Sequence, residues 1–323
     1  MDQPWNLKQQ MLDAIAQKGG WVNCHAHFDK AFYITKEGLD KGMLDMEVKW
    51  KMSDDIKRNS SQEDIEKRIR TALDMLIDQG CKLTATFVDA HSVVGYKAVD
   101  AANKIKQEYK DKITVLTLPQ PLGGLLEKEA RDLFEAIAAK CDIVGGLPSK
   151  DRPRDEEHLD VLFSIAKNLN KPMHVHIDQE NNPNERDMEK LIKAVEKHGY
   201  QGRVVAIHAI SISAQPKEYR TEIYKKMAGV GMAVAVCPSA ALNMRQLDQY
   251  QAPVHNCIAN VPEMLEAGIT VGIGVDNVCD FYCPFTDDLW VEMRMLLDAC
   301  RFFDFDALVN IATVNGQKLL SIK

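Results

Sequence analysis

Short apolar runs alternate with amphipathic segments along the whole chain. The runs are "WVNCHAH" (21–27), "KLTATFVDAH" (82–91), "KITVLTLPQ" (112–120), "DIVGGLP" (142–148), "PMHVHID" (172–178), "RVVAIHAI" (203–210), "GMAVAVCPS" (231–239) and "ITVGIGVDN" (269–277). They are rich in Val, Ile and Thr and end in polar, Gly or Pro residues, which predicts parallel strands buried on both faces. Between them, apolar residues recur at helical spacing. "SQEDIEKRIRTALDMLIDQG" sets Ile65, Ile69, Leu73, Leu76 and Ile77 on one stripe and stops at Gly80, so it predicts a helix with a solvated outer face. "LEKEARDLFEAIAAK", "DEEHLDVLFSIAKNL", "NERDMEKLIKAVEKHG" and "PKEYRTEIYKKMAGVG" repeat the theme, and two more helical stretches lie around 286–300 and 305–320. Strand–helix alternation eight times over predicts an α/β fold, a (β/α)8 TIM barrel, in one domain over residues 1–323; an open doubly wound sheet is the runner-up. The first helical stretch, "NLKQQMLDAIAQ", lines up Leu7, Met11, Ala14 and Ile15 and is expected to plug the bottom of the barrel.

Two connections are long. Residues 31–60 follow the first strand and residues 240–260 the seventh, both on the face where barrel active sites form, so both are candidate lids. The chain of 323 residues is 46% hydrophobic and 27% charged, with a net charge of −7. That balance gives no basic surface for nucleic acid, and the basic run Lys67–Arg70 lies on a mixed-charge helix. No apolar stretch approaches the roughly 20 residues of a membrane span, and "MDQPWNLKQQ" lacks the pattern of a signal peptide. The eight cysteines are scattered without a CxxC pair. Buried free thiols in a reducing, cytoplasmic setting are the expectation.

Polar residues punctuate the strands. His25 and His27 stand two apart, so on one strand both point to the same side, and His174 and His176 do likewise on the fifth. His208 lies near the end of the sixth strand, and Asp276 closes the eighth. In a barrel these strand ends share one mouth. Imidazoles and a carboxylate there make a site for one divalent metal ion, Zn2+ or Fe2+, with an open position for water and the power to lower that water's pKa to about 7.

This order resembles the amidohydrolase superfamily, over nearly the whole chain. "HAHFDK" (25–30), "LPQPLGG" (118–124), "HIDQ" (176–179), "AIHA" (206–209) and "GVDNVCDFYCP" (274–284) resemble its cytosine deaminase-like branch, which includes N-isopropylammelide isopropylaminohydrolase. The resemblance implies a metal-dependent hydrolase acting on a C–N bond of a pyrimidine- or triazine-like heterocycle. It implies His25, His27, His176 and Asp276 as metal ligands, Asp276 and His208 as catalytic groups, and Gln120, with Asn277, as substrate-binding. His176 is preferred over His174 because the family's ligand precedes its catalytic carboxylate position by three residues. His174 is then expected behind the ligands or against substrate. No lysine lies inside the fourth strand to bridge two metals, and Lys150, just after it, is expected to be solvated.

Two departures stand out. The family's catalytic glutamate position is Gln179, whose amide does not titrate. Lys30, His174, His208 and Glu180 are candidate replacements, with Lys30 first, and Phe28 and Phe281 are candidate ring-pocket residues. The usual flanking β-sandwich is expected to be missing, exposing barrel flank and favouring a homo-oligomer. Gln179 also motivates the alternatives: a catalytically weakened metal-binding homologue, or a cyclic amide hydrolase.

Overall fold

A computed structural model of the protein describes residues 4–244, 258–285 and 287–322. Eight parallel strands appear where the apolar runs predict them: β1 Trp21–Asn23, β2 Cys81–Asp89, β3 Thr114–Gln120, β4 Val144–Gly146, β5 Met173–Ile177, β6 Val204–His208, β7 Ala233–Val236 and β8 Val271–Ile273. They pair in chain order within two runs, β1-β2-β3 and β4-β5-β6-β7-β8. Two seams join the runs into the TIM barrel. At the β3–β4 seam, Asp142 N donates to Thr117 O at 2.9 Å and Thr117 N donates to the Asp142 carboxylate at 2.7 Å. At the β8–β1 seam, Cys24 N donates to Ile273 O at 2.8 Å and Asp276 N to His25 O at 3.0 Å. Each seam needs a glycine, because a Cβ at Gly145 would lie 2.1 Å from Pro119 O and one at Gly274 2.7 Å from His25 N. No strand outside these eight occurs among the described residues, so they contain no flanking β-sandwich.

The outer layer forms as the stripes dictate. Helix Gln62–Asp78 starts with Ser61 and Asp64 capping each other's backbone N–H and buries Ile65, Ile69, Leu73 and Leu76 against the sheet. Each such side chain contributes about 1.5–3 kcal/mol of burial. The barrel interior is a separate cluster drawn from alternate strand positions, including Ala85, Phe87, Leu118, Val205, Ile207, Ala233 and Ala235. Leu319 and Leu320 of helix Val314–Leu320, with Ile322, close its lower end. The expectation that the N-terminal helix is the plug is therefore corrected. Helix Leu7–Gln17 packs Met11 and Ile15 into the outer core beside helix Phe305–Ala312, because the interior is already closed by Leu319 and Leu320.

The first long connection is ordered. It forms a 3-10 helix, Lys36–Met43, and a helix, Met46–Asn59, over the mouth of the barrel. The second falls largely on residues 245–257, outside the described residues.

Candidate metal centre and active-site cleft

The strand ends bring five side chains together. His25 Nε2 lies 3.1 Å and His27 Nε2 3.3 Å from the same Asp276 oxygen, and His176 Nε2 lies 3.3 Å from His27 Nε2. His208 Nε2 stands 3.9 Å from the other Asp276 oxygen. All five side chains are buried, and Phe87 forms the floor, its ring 4.6 Å from that of His176. Strand alternation does not by itself deliver this set. Val22 and Cys24 face the interior cluster, and so do His25 and His27, so the inward pattern shifts by one residue just after β1 ends. His208 (φ 78°) and Asp276 (φ 61°) both adopt the left-handed region. Such backbone costs on the order of 1–3 kcal/mol per residue and persists where a site demands it.

The electrostatics suit a cation. Burial pulls the His27 imidazole down to about 3 and that of His208 to about 4, and holds His176 well below its ordinary value. Burial opposes ionisation of Asp276, but hydrogen bonding with His25 and His27 and the charge of His208 outweigh it, holding the carboxyl well below the usual range. His27, His176 and His208 are thereby held toward the neutral imidazole and Asp276 toward the carboxylate, the protonation a divalent ion requires. His176 Nδ1 lies 3.2 Å from Gly146 O, which fixes that nitrogen as the donor and turns Nε2 inward. His25, His27 and Asp276, and likewise His25, His176 and His208, each present ligand atoms within 4.8 Å of one another. These residues therefore fit a metal ion.

Above them a cleft opens to solvent, the two together spanning about 560 Å³. His27, Lys30, Gln120, His176, Gln179, His208, Asp276 and Asn277 all line it, with Met46, Lys49 and Trp50 from the mouth helix. Lys30 Nζ donates to Gln120 Oε1 at 2.8 Å and to Asp89 at 3.3 Å. Burial pulls the Lys30 ammonium down, but Asp89, Asp29 and Asp280 outweigh it and raise it above its ordinary value. Asn277 Nδ2 donates to Asp280 at 2.5 Å.

His174 does not join this set. It is fully buried one layer deeper, with neither ring nitrogen hydrogen-bonded, and it does not line the cleft. Two residues back along β5 is one layer down, so His174, expected behind the ligands or against substrate, sits apart from the residues that line the cleft. Glu180 opens instead onto an outer vestibule. Phe28 is core and Phe281 is buried away from the cleft, so its aromatic walls are Trp50 and Tyr282. Lys150 is not simply solvated; its Nζ sits 4.0 Å above the Trp50 ring. The seven described cysteines are free thiols, mostly buried, and Cys257 lies outside the described residues.

The sequence reading missed the support behind Lys30. Lys57 of the mouth helix sits 2.5 Å from the second Asp89 oxygen, and Asp29 accepts from Asp89 N at 2.9 Å. The one available signal was the spacing of Lys49, Ser53 and Lys57, four residues apart, which reads as a solvent face but is the buried one.

The sequence profile described as the amidohydrolase family matches residues 19–323. An uncharacterised protein of Haemophilus influenzae is 38% identical over 264 residues, which is 80% of this chain and 95% of that protein. N-isopropylammelide isopropyl amidohydrolase of Pseudomonas sp. (strain ADP) is 28% identical over 98% of this chain and 79% of its own. The crystal structure of 5-methylcytosine deaminase from Klebsiella pneumoniae liganded with 5-fluorocytosine superposes with a TM-score of 0.84 at 23% identity, covering 93% of this chain and 74% of that one. No described helix is long and apolar enough to cross a membrane.

Proposed function

The chain belongs to the amidohydrolase family, and from that premise we propose that it hydrolyses a C–N bond of a small nitrogen heterocycle, releasing ammonia or a substituted amine. One observation carries the reading: of the side chains that fit a single divalent ion, His27, His176 and Asp276 open into the same cleft as two amides able to read a ring edge, Gln120 and Asn277, and His25 reaches Asp276 at 3.1 Å. Zinc or iron bound there supplies Lewis acidity toward water and substrate.

The chain's own residues do the rest. Asp276 is ionised and sits beside the attacking position, so it accepts the proton of water. His208, neutral and across from it, hydrogen-bonds the attacking oxygen as the ring carbon turns tetrahedral. Gln120, its carbonyl occupied by Lys30, presents its amide N–H to a ring carbonyl or nitrogen. Asn277 presents its carbonyl to a ring N–H. The proton taken by Asp276 passes to the ring nitrogen as water adds, and the second proton of water, released through Asp276 when the C–O bond becomes a carbonyl, goes to the departing amine as the C–N bond breaks. Lys30 is held charged by Asp89 and Asp29, which suits fixing Gln120 and stabilising negative charge better than donating a proton. Gln179 faces the cleft and orients a leaving group without titrating. The relative that acts on N-isopropylammelide supports a triazine-like ring.

The test is amine and ammonia release by metal-loaded protein from a panel of pyrimidines, pterins and triazines. Turnover of at least one ring supports the reading, and its absence from all overturns it. Gln179 favours one second reading, a weakened homologue that binds such a ring without turning it over; tight binding without release would favour it.

A further inference from the structure

The helix Met46–Asn59 is inverted. It buries Lys49, Ser53 and Lys57 and leaves Val48 43% exposed. Burying two ammonium groups without their water costs several kcal/mol per ion unless each is compensated. Lys57 is compensated by Asp89 at 2.5 Å, and Ser53 Oγ lies 3.2 Å from Tyr282 Oη. Lys49 differs. Its residue is 3% exposed, and its Nζ donates to Gly42 O at 3.1 Å. Among the described residues no carboxylate lies within 4 Å of it, whereas Lys30 and Lys57 each have one. Two carboxylates act on it from farther off, Asp280 and Asp45, and Asp280 is already engaged, accepting from Tyr282 N at 2.8 Å, Cys283 N at 3.0 Å and Asn277 Nδ2 at 2.5 Å.

Lys49 lines the same cleft as the candidate metal ligands. Its Nζ and that of Lys30 lie 5.6 and 5.8 Å from the centroid of one ring, Tyr282. The cleft therefore carries two ammonium groups about one aromatic side chain, one satisfied and one with donors to spare. We infer that Lys49 binds an anionic oxygen of the ligand, so that this cleft selects heterocycles that are acids ionised at neutral pH, such as cyclic 1,3-dicarbonyl acids, over neutral rings of similar size. An ammonium is a compact point charge with three donors, suited to an oxyanion whose direction varies between substrates. Burial lowers the pKa of Lys49, which an anionic ligand would reverse.

The inference rests on the reading of the cleft as a heterocycle site, and calorimetric binding separates the two. Barbiturate, an anion at neutral pH, and uracil, a neutral ring of similar shape, are titrated into wild-type protein, Lys49→Met and Lys49→Arg. The expected result is tighter binding of barbiturate than uracil by wild type. Lys49→Met then weakens barbiturate by about ten- to a hundredfold, the worth of a hydrogen bond to a charged group. Uracil binding is little changed, and Lys49→Arg restores much of the preference. If Lys49 serves only to hold Gly42 O and the mouth helix, both ligands weaken together in Lys49→Met, and the inference is overturned. Equal wild-type affinity for the two rings, or no affinity for barbiturate, overturns it as well. Amine release from neutral rings alone, with no charge preference, would sink this inference while leaving the proposed reaction standing.

Discussion

Lys30 Nζ donates to Gln120 Oε1 at 2.8 Å across the floor of the cleft, joining the first strand's end to the third's. Because the carbonyl is occupied, the Gln120 amide nitrogen is the atom offered to a ligand. Lys30→Met should free the amide to turn and lower kcat/KM by about ten- to a hundredfold, with the loss shared by every substrate that has a ring acceptor. Steady-state kinetics measures it. Unchanged kcat/KM would remove the pair from substrate recognition.

The two histidines of β5 should separate cleanly. His176→Asn should strip the protein of its divalent ion after dialysis, while His174→Asn should retain it, as read by elemental analysis per chain. The reason is depth: His176 Nε2 meets His27 Nε2 at 3.3 Å, and His174 lies a layer below. Equal retention in both variants would contradict the proposed ligand set.

Gln179 tests the reacting centre. Restoring a titrating carboxylate with Gln179→Glu should raise ammonia release from cytosine-like rings by about 10²-fold or more, the usual worth of a general acid–base group. No gain would mean that the cleft position of Gln179 does not coincide with the proton path.

Glu292 sets a pH dependence of stability. It is buried behind the seventh strand, accepting from Ser239 N at 2.9 Å and from its hydroxyl. Burial, only partly offset by Ser239, pushes its carboxyl up to about 8 from an ordinary value of 4.5. A raised carboxyl means that the folded state holds a proton the unfolded chain releases. Its contribution is complete below about 4.5 and is lost as pH rises toward about 8. Thermal unfolding should therefore show Tm falling over that window, with a shallower fall in Glu292→Gln. Parallel Tm curves for the two proteins would refute the assignment.

Much of the barrel was legible because its signal is local. A short apolar run such as "AVAV" in β7 can hide its backbone only between helices on one side and barrel interior on the other. The stripe of Ile65, Ile69, Leu73 and Leu76 can satisfy itself only against that sheet. The N-terminal helix misled because amphipathicity tells which face is buried but not against what. The interior had already been closed by Leu319 and Leu320 from the other end of the chain.

The sequence by itself determined the strand count, the helix faces and the residue types that can hold a metal ion, because these depend on period and chemistry within short windows. Only the tertiary structure decided which of His174 and His176 reaches the mouth, that Lys150 rests on Trp50, and that the mouth helix turns Lys49 and Lys57 inward. Those outcomes depend on depth, on a one-residue shift after β1 and on charges from distant strands. A lysine at helical spacing reads as solvated until a buried carboxylate such as Asp89 is placed against it, and that pairing spans segments whose separation along the chain carries no local signal.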